Sequence, residues 1–314
     1  MLYIILFFIF IFILWYRRRI LKSGAHHHHH HHHREGDIEN EKIYGHYPSI
    51  NYKHYNVVKL DIPLSNGPFN FVDIKQGDIG SCWYLSALAA YLRPDDRLQV
   101  HQKKLSSRIV KINDDLYKVE FRGMEFIIDT YVPKHYIACS IEKTVLWPIL
   151  FEKAMISYET GKYEKLHGGY CCRNLNISAG ENNYGALGLE LVTGHCVSYG
   201  ILHKELSYYI DNVDKQKFEE IWNRGEYILA NTNTNTFQHH SKPVQQINAV
   251  KNHCYAILNV YKKDDELYLT LYNPWSTKGM TNQNCSLDHG EFNISWKIFF
   301  KTFACIHYTT NYIN

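Results

Sequence analysis

Three short stretches of this 314-residue chain carry the side chains of a thiol-dependent acyl transfer. The first is Gln76-Gly77-Asp78-Ile79-Gly80-Ser81-Cys82-Trp83. A cysteine attacks as its thiolate, and a helix N-terminus stabilises that anion through the dipole and the backbone N–H groups of the first turn. The glycines let the backbone approach closely. Gln76, six residues upstream, can turn its amide N–H2 toward the thiol and join the Cys82 backbone N–H in holding a developing oxyanion. Taken alone, the stretch has an equal rival, because a lone cysteine is commonly a small buried apolar residue. The second stretch, Asn252-His253-Cys254-Tyr255-Ala256-Ile257-Leu258, puts a histidine at the head of a strand. The third, Leu271-Tyr272-Asn273-Pro274-Trp275, puts an asparagine at the end of the next one. If the two strands pair, the Asn273 amide oxygen accepts from one ring N–H of His253 and leaves the other nitrogen to face the thiol. Trp275 would cover that hydrogen bond from water. A lone His253 reads as a core histidine; the ordered set of Cys82, His253 and Asn273 argues for a nucleophile, a base and an orienting group. His195, in Thr193-Gly194-His195-Cys196, is the rival base, and no asparagine follows it at strand spacing.

The elements that must position these residues follow from patterning. Cys82 to Leu92, rich in Ala and Leu and stopped before Pro94, predicts a buried helix that starts at or just before the cysteine. Leu116–Phe121, the turn Arg122-Gly123 and Glu125–Asp129 predict a hairpin. A second helix is expected from Trp147 to Tyr158, and a short amphipathic one from Lys215 to Trp222 ahead of Gly225. Strands are expected at Tyr227–Ala230, Tyr255–Tyr261, Leu267–Tyr272 and Thr302–Tyr308, with a turn at Lys262-Lys263-Asp264-Asp265. The alternating Asn and Thr from Asn231 to Thr236 read as a solvated loop. The expected class is α+β, helical first and β-rich later, with Gly194 as the joint.

Ile79-Gly80-Ser81-Cys82-Trp83 matches four of the five positions of the papain-type signature, but His253 and Asn273 lie further from Cys82 than the roughly 130–150 residues of that pattern. The chain instead resembles the calpain family, whose protease core opens a helix with Gln-Gly-x-x-Gly-Asp-Cys-Trp and carries Gly-His-Ala-Tyr, then Asn-Pro-Trp. Trp147-Pro148-Ile149-Leu150-Phe151-Glu152-Lys153-Ala154 is similar to the family's Trp-x-x-Leu-Leu-Glu-Lys-Ala. Tyr163-Glu164 with Gly168-Gly169, the hairpin from Leu116 to Pro133, and Asp288-His289-Gly290-Glu291-Phe292 extend the likeness over about residues 45–310. Ser81 stands where the family has aspartate, and Asn252 where it has glycine. The resemblance implies a papain-like, calpain-type core with a mainly helical lobe at 45–194, a β-sheet lobe at 195–314 and the active site between them. It implies a calcium-dependent cysteine endopeptidase acting on proteins, with Cys82 as nucleophile, His253 as base, Asn273 as orienting group and Gln76 in the oxyanion hole. It also implies Ca²⁺ ligands at Asp73 and Glu152 in the first lobe and at Glu291 in the second, where the family's acidic segment after Asn-Pro-Trp is missing. Two other readings stand beside it: a catalytically silent, membrane-bound scaffold, and a transglutaminase-like acyl transferase, in which the orienting group is usually an aspartate.

Composition narrows the setting. With 34 Lys and Arg against 31 Asp and Glu, the net charge of +3 is too slight for a nucleic-acid partner, and Arg17, Arg18 and Arg19 account for it. The eight cysteines include no Cys-x-x-Cys pair, which removes zinc-ribbon and thioredoxin-like readings. Leu2 to Tyr16 is wholly aliphatic or aromatic, and the arginine triplet follows it. As a helix this stretch spans about 22 Å, against about 30 Å of bilayer hydrocarbon, so it reads as a short transmembrane anchor over 1–21. A tether over 22–44 follows; its run His26 to His33 is low-complexity spacer or an added tag. The positive-inside rule leaves the remainder facing the cytoplasm as a single-pass protein; a cleaved signal peptide or a buried segment are the alternatives. Carbonate extraction with protease protection checks this: an anchored chain stays in the pellet with its bulk open to protease on the cytosolic side, whereas a soluble, shortened protein marks a cleaved signal.

Overall fold

The computed structural model describes residues 57–77, 80–133, 145–159, 184–202, 213–232, 249–250, 253–276 and 290–310. The expected anchor at 1–21 and tether at 22–44 lie outside the described residues. Among the described residues no helix is long and apolar enough to cross a membrane.

Strand β1 (Val57–Lys59) leads through a short 3-10 turn at Phe71–Asp73 to helix α1 (Cys82–Tyr91). Helix α2 (Leu98–Ser106), strands β2 (Ile109–Lys111), β3 (Leu116–Phe121), β4 (Met124–Asp129) and β5 (Tyr131–Pro133), and helix α3 (Trp147–Glu159) follow. Then come α4 (Tyr184–Thr193), β6 (Cys196–Ile201), α5 (Lys215–Asn223) and β7 (Ile228–Asn231). The C-terminal part holds β8 (Cys254–Lys263), β9 (Glu266–Tyr272), β10 (Glu291–Ser295), α6 (Trp296–Thr302) and β11 (Cys305–Thr310). Three antiparallel sheets result: β1 with β5, β2-β3-β4, and six strands in the order β10-β9-β8-β7-β11-β6.

Helix α1 begins at the cysteine, as its sequence predicts, and has no polar face: every residue from Trp83 to Tyr91 is buried. Such a helix is stable only when enclosed. One core encloses it, joining Trp83, Leu85 and Leu88 to Tyr227, Leu229, Cys254, Ala256 and Tyr272 of the large sheet. Alternate residues of the same strands, Ile228, Ala230, Tyr255 and Ile257, enter a second core with Phe218 of α5 and Phe299 of α6. With both faces covered, the central strands read as continuous apolar runs rather than as alternation. The first of these cores includes residues from both sides of the expected joint at Gly194.

Two turns set register. Arg122 and Gly123 have φ of 56° and 72°, and Asp264 and Asp265 have 51° and 59°, the two consecutive left-handed residues of the tight hairpin turn that suits twisted strands. The second turn pairs Lys263 with Glu266 and carries the ladder, past a bulge between Ile257 and Asn259, to Ala256 opposite Tyr272. His253 and Asn273 therefore leave the hairpin at one end.

Some elements differ from expectation. The strand expected at Thr302–Tyr308 begins at Cys305, because Ser295 starts α6 and the spacing of Trp296, Phe299 and Phe303 gives a helical apolar face. Helix α4 contains Gly185 and Gly188, which disfavour a helix by propensity. Packing outweighs that cost: a Cβ on Gly188 would lie 2.4 Å from the Trp83 carbonyl oxygen, so glycine is what lets α4 lie on the first turn of α1. Gly188→Ala, a change that gains about 1 kcal/mol in an open helix, is expected here to destabilise the fold by roughly 1–3 kcal/mol through overpacking. Urea unfolding midpoints check the sign.

Candidate active site

Ser81 precedes α1 with φ −102° and ψ 13°, and its carbonyl accepts the N–H groups of Tyr84 and Leu85, each at 3.0 Å. Serine is a favoured capping residue, yet its hydroxyl makes no cap here. It donates instead to Oε1 of Glu152 on α3, a side chain with no exposed surface. Cys82 follows as a half-buried, reduced cysteine at the first position of the helix.

His253 sits immediately before β8, 4% exposed. Thr232 clasps its backbone: the Thr232 N–H donates to the His253 carbonyl at 3.0 Å, and the His253 N–H donates to Thr232 Oγ1 at 3.1 Å. The ring lies edge-on to Tyr255, with centroids 4.9 Å apart, and against Trp275 at 4.7 Å. Its Nε2 is 2.8 Å from Asn273 Oδ1. An amide oxygen only accepts, so Nε2 carries the hydrogen and Nδ1 is the basic nitrogen of the neutral ring. Burial pushes this imidazole down to about 4, the Asn273 contact pulling the other way. It is therefore neutral at physiological pH, the form able to accept a proton.

Asn273, at the end of β9, is fixed on every side. Its Oδ1 also accepts the Trp275 N–H at 3.0 Å, and its own N–H donates to the Gly290 carbonyl at 3.0 Å. Gly290 has φ 92°, and a Cβ there would come within 2.6 Å of Ser276 Cα and 2.8 Å of the Asn273 oxygen.

Three hydrogen bonds bring the cysteine segment to this hairpin. Ser86 Oγ, one turn along α1 from Cys82, donates to the Cys254 carbonyl at 2.8 Å. The Gln76 N–H donates to the Pro274 carbonyl at 2.7 Å, and the Tyr272 hydroxyl donates to the Ile74 carbonyl. Burial pushes up the Tyr255 phenol, the ring against which His253 packs, while the Val250 N–H that donates to its hydroxyl pulls the other way. The four residues expected from sequence, Cys82, His253, Asn273 and Gln76, thus lie on segments that these bonds hold together. Sequence reasoning passed over Ser86 and Thr232. The signal for Ser86 was there, since the one serine inside an otherwise apolar and aromatic helix requires a partner for its hydroxyl. His195, the rival, is exposed, and its ring neighbours Tyr227 at 6.5 Å. Asp78, Ile79, Asn252 and Asp288 lie outside the described residues.

Comparison with known proteins bears on this arrangement directly. The calpain family cysteine protease domain matches residues 56–295, well over half of the chain. The chain belongs to the calpain family of cysteine proteases. It is 26% identical over 233 residues to the calpain-type cysteine protease DEK1 of Zea mays and 28% identical over 235 residues to calpain clp-4 of Caenorhabditis elegans, in both cases across 68% of this chain. It spans 9% of the length of the maize protein and 28% of the nematode one.

The calcium ligands implied by the calpain resemblance have other partners in this calpain-family chain. Asp73 Oδ2 accepts the Trp147 indole N–H at 2.9 Å and the Asn70 N–H at 3.1 Å, forming a capping box for the 3-10 turn. Glu152 accepts the Ser81 hydroxyl. Glu291 opens β10 opposite Tyr272. Among the described residues no group of three or more His, Cys, Asp or Glu is placed to hold a metal ion. Ca²⁺ takes six to eight oxygens, so Asp73 and Glu152 would need backbone carbonyls and water to complete a site.

An imidazole that serves as a base works unprotonated, so in that role His253 would be lost only as pH falls through its depressed value. The acidic limb of kcat/KM is expected well below the ordinary imidazole value of about 6.5. Asn273→Ala, which deletes the acceptor of the Nε2 hydrogen, is expected to lower kcat/KM by on the order of 10²-fold. Peptide cleavage by both proteins from pH 3 to pH 8 checks both outcomes.

Proposed function

We propose that the chain is a cysteine endopeptidase of calpain type that hydrolyses peptide bonds in protein substrates through Cys82, His253 and Asn273. The observation that carries this reading is the 2.8 Å bond from His253 Nε2 to Asn273 Oδ1, on a hairpin that Ser86 joins to the helix of Cys82. An oriented, neutral imidazole on a hairpin bonded to a helix that starts with a thiol is the kind of arrangement that nucleophilic acyl transfer needs.

In the proposed reaction Cys82 Sγ attacks the substrate carbonyl carbon as its proton passes to His253 Nδ1. The oxyanion that forms is held by the Cys82 N–H and the Gln76 side-chain amide. Collapse breaks the carbon–nitrogen bond, and His253 returns the proton to the departing amine. The thioester left on Cys82 is attacked by water, which gives a proton to His253, and the acid product leaves as the thiol takes that proton back. Every proton removed is restored, and no step passes through a metal ion.

Calcium dependence is proposed on family membership, with no described residue assigned to the ion. The apolar segment ending at Tyr16 is kept as the proposed membrane anchor, with the protease on the cytoplasmic side. Casein or peptide cleavage by the full chain, with calcium and with chelator, tests the reading beside Cys82→Ala. Wild type is expected to cleave, faster with calcium, and to be labelled on Cys82 by an epoxide thiol inhibitor, while Cys82→Ala does neither. Equal rates with calcium and chelator remove the calcium proposal alone. No cleavage and no labelling under either condition end the peptidase reading and favour a silent scaffold.

A further inference from the structure

Beyond the far end of α1 from Cys82 lies a buried cation that the proposed chemistry does not use. Arg93 follows the Leu92 cap and precedes Pro94, and it is 3% exposed. Burying a guanidinium is costly unless its donors and faces all find partners. Here its Nε is 2.7 Å from Asp95 Oδ2, Nη1 donates to the Glu226 carbonyl at 2.6 Å and Nη2 to the Gly225 carbonyl at 3.0 Å. The plane lies over the Trp222 ring at 4.3 Å and the Tyr227 ring at 5.2 Å.

Its neighbours make this a rigid seat. Asp95 also binds Arg97, whose guanidinium lies 4.7 Å from the Tyr227 ring centre. The Tyr227 hydroxyl meets His101 Nε2 at 2.9 Å, and His101 Nδ1 donates to the Tyr91 carbonyl at 2.9 Å, which fixes the tautomer and ties α2 to the end of α1. Gly225 and Glu226 are the residues that deliver β7. β7 pairs with β8, Asn231 opposite Cys254, and Thr232 clasps His253. A path of hydrogen bonds and strand backbone therefore runs from Arg93 through β7 to the main chain of His253.

Helix α1 is about 15 Å long; it packs on the β7–β8 layer along its length and is hydrogen-bonded toward that layer near both ends, Ser86 to Cys254 near the thiol and Arg93 to Gly225 and Glu226 beyond the opposite end. One point of attachment fixes a distance; two fix the angle as well. We infer that Arg93 is a positioning residue of the peptidase, which sets the angle of the Cys82 helix against the strand of His253. The inference rests on the proposed function, since it concerns the same thiol and imidazole.

Arg93→Lys in the full chain tests it. Lysine keeps the charge but lacks the planar fork that serves a carboxylate and two carbonyls together. Misplacement of reacting groups by about 1 Å costs on the order of 10²-fold, so kcat is expected to fall at least tenfold with KM within about twofold. Far-UV circular dichroism should stay at the wild-type spectrum. The rate of Cys82 alkylation by iodoacetamide against pH supplies a readout that a merely structural role would not move: the variant is expected to lose reactivity toward acid, where only an imidazole-assisted thiol reacts. A folded Arg93→Lys with wild-type kcat and alkylation profile overturns the inference. If that variant does not fold, Trp222→Leu, which removes one ring from the guanidinium and leaves its hydrogen bonds, is expected to show a smaller kcat loss in the same direction, and wild-type values there overturn it equally. If wild type cleaves no substrate, the peptidase reading falls by itself, and the alkylation profile still decides Arg93.

Discussion

A ten-residue helix without a polar face governs the arrangement of this protein. Each large apolar side chain of α1 gains about 1.5–3 kcal/mol by leaving water, whereas a single intramolecular hydrogen bond nets about 1 kcal/mol. Burial therefore decides that the helix lies inside, and hydrogen bonds decide where along the sheet it stops. Ser86 is the clearest case. A shift of one residue would leave a buried hydroxyl and the Cys254 carbonyl without each other, at about 1–3 kcal/mol for each orphaned group. The thiol at the start of the helix and the imidazole beside Cys254 inherit their relation from that choice.

Much of this was legible in the sequence where local chemistry dictates local shape. The Cys82 helix, the Arg122-Gly123 and Asp264-Asp265 turns, and the Trp147 helix follow from composition and spacing alone. So does the meeting of His253 with Asn273, because two paired strands joined by a tight turn bring their outer ends together. What stayed hidden depended on partners distant in the chain. Two glycines argue against a helix at Tyr184–Thr193 until the Trp83 carbonyl beneath Gly188 is known. Nothing within the neighbourhood of Arg93 announces that its acceptors are the carbonyls of Gly225 and Glu226.

The buried charges divide in the same way. Glu152 and Lys153 are adjacent on α3 and both enclosed, yet they serve different neighbours. Glu152 takes the Ser81 hydroxyl, and Lys153 donates to the Asp129 carboxylate and to the Asp129 and Tyr131 carbonyls, docking α3 on the hairpin. Because Ser81 is turned toward Glu152, its side chain does not compete for the first N–H groups of α1, where an oxyanion would be held.

Asn273 Oδ1 has two lone pairs and two donors, the ring of His253 and the main chain of Trp275. A half-turn of the amide would set its NH2 group against both donors at once, so the side chain has one stable orientation. The imidazole is held in turn, since an exchange of its tautomer would leave Asn273 facing a bare nitrogen. The seat of the ring proton is thus written into the covalent chain: a peptide N–H two residues past the asparagine dictates which edge of the histidine is basic, and it does so before any substrate arrives.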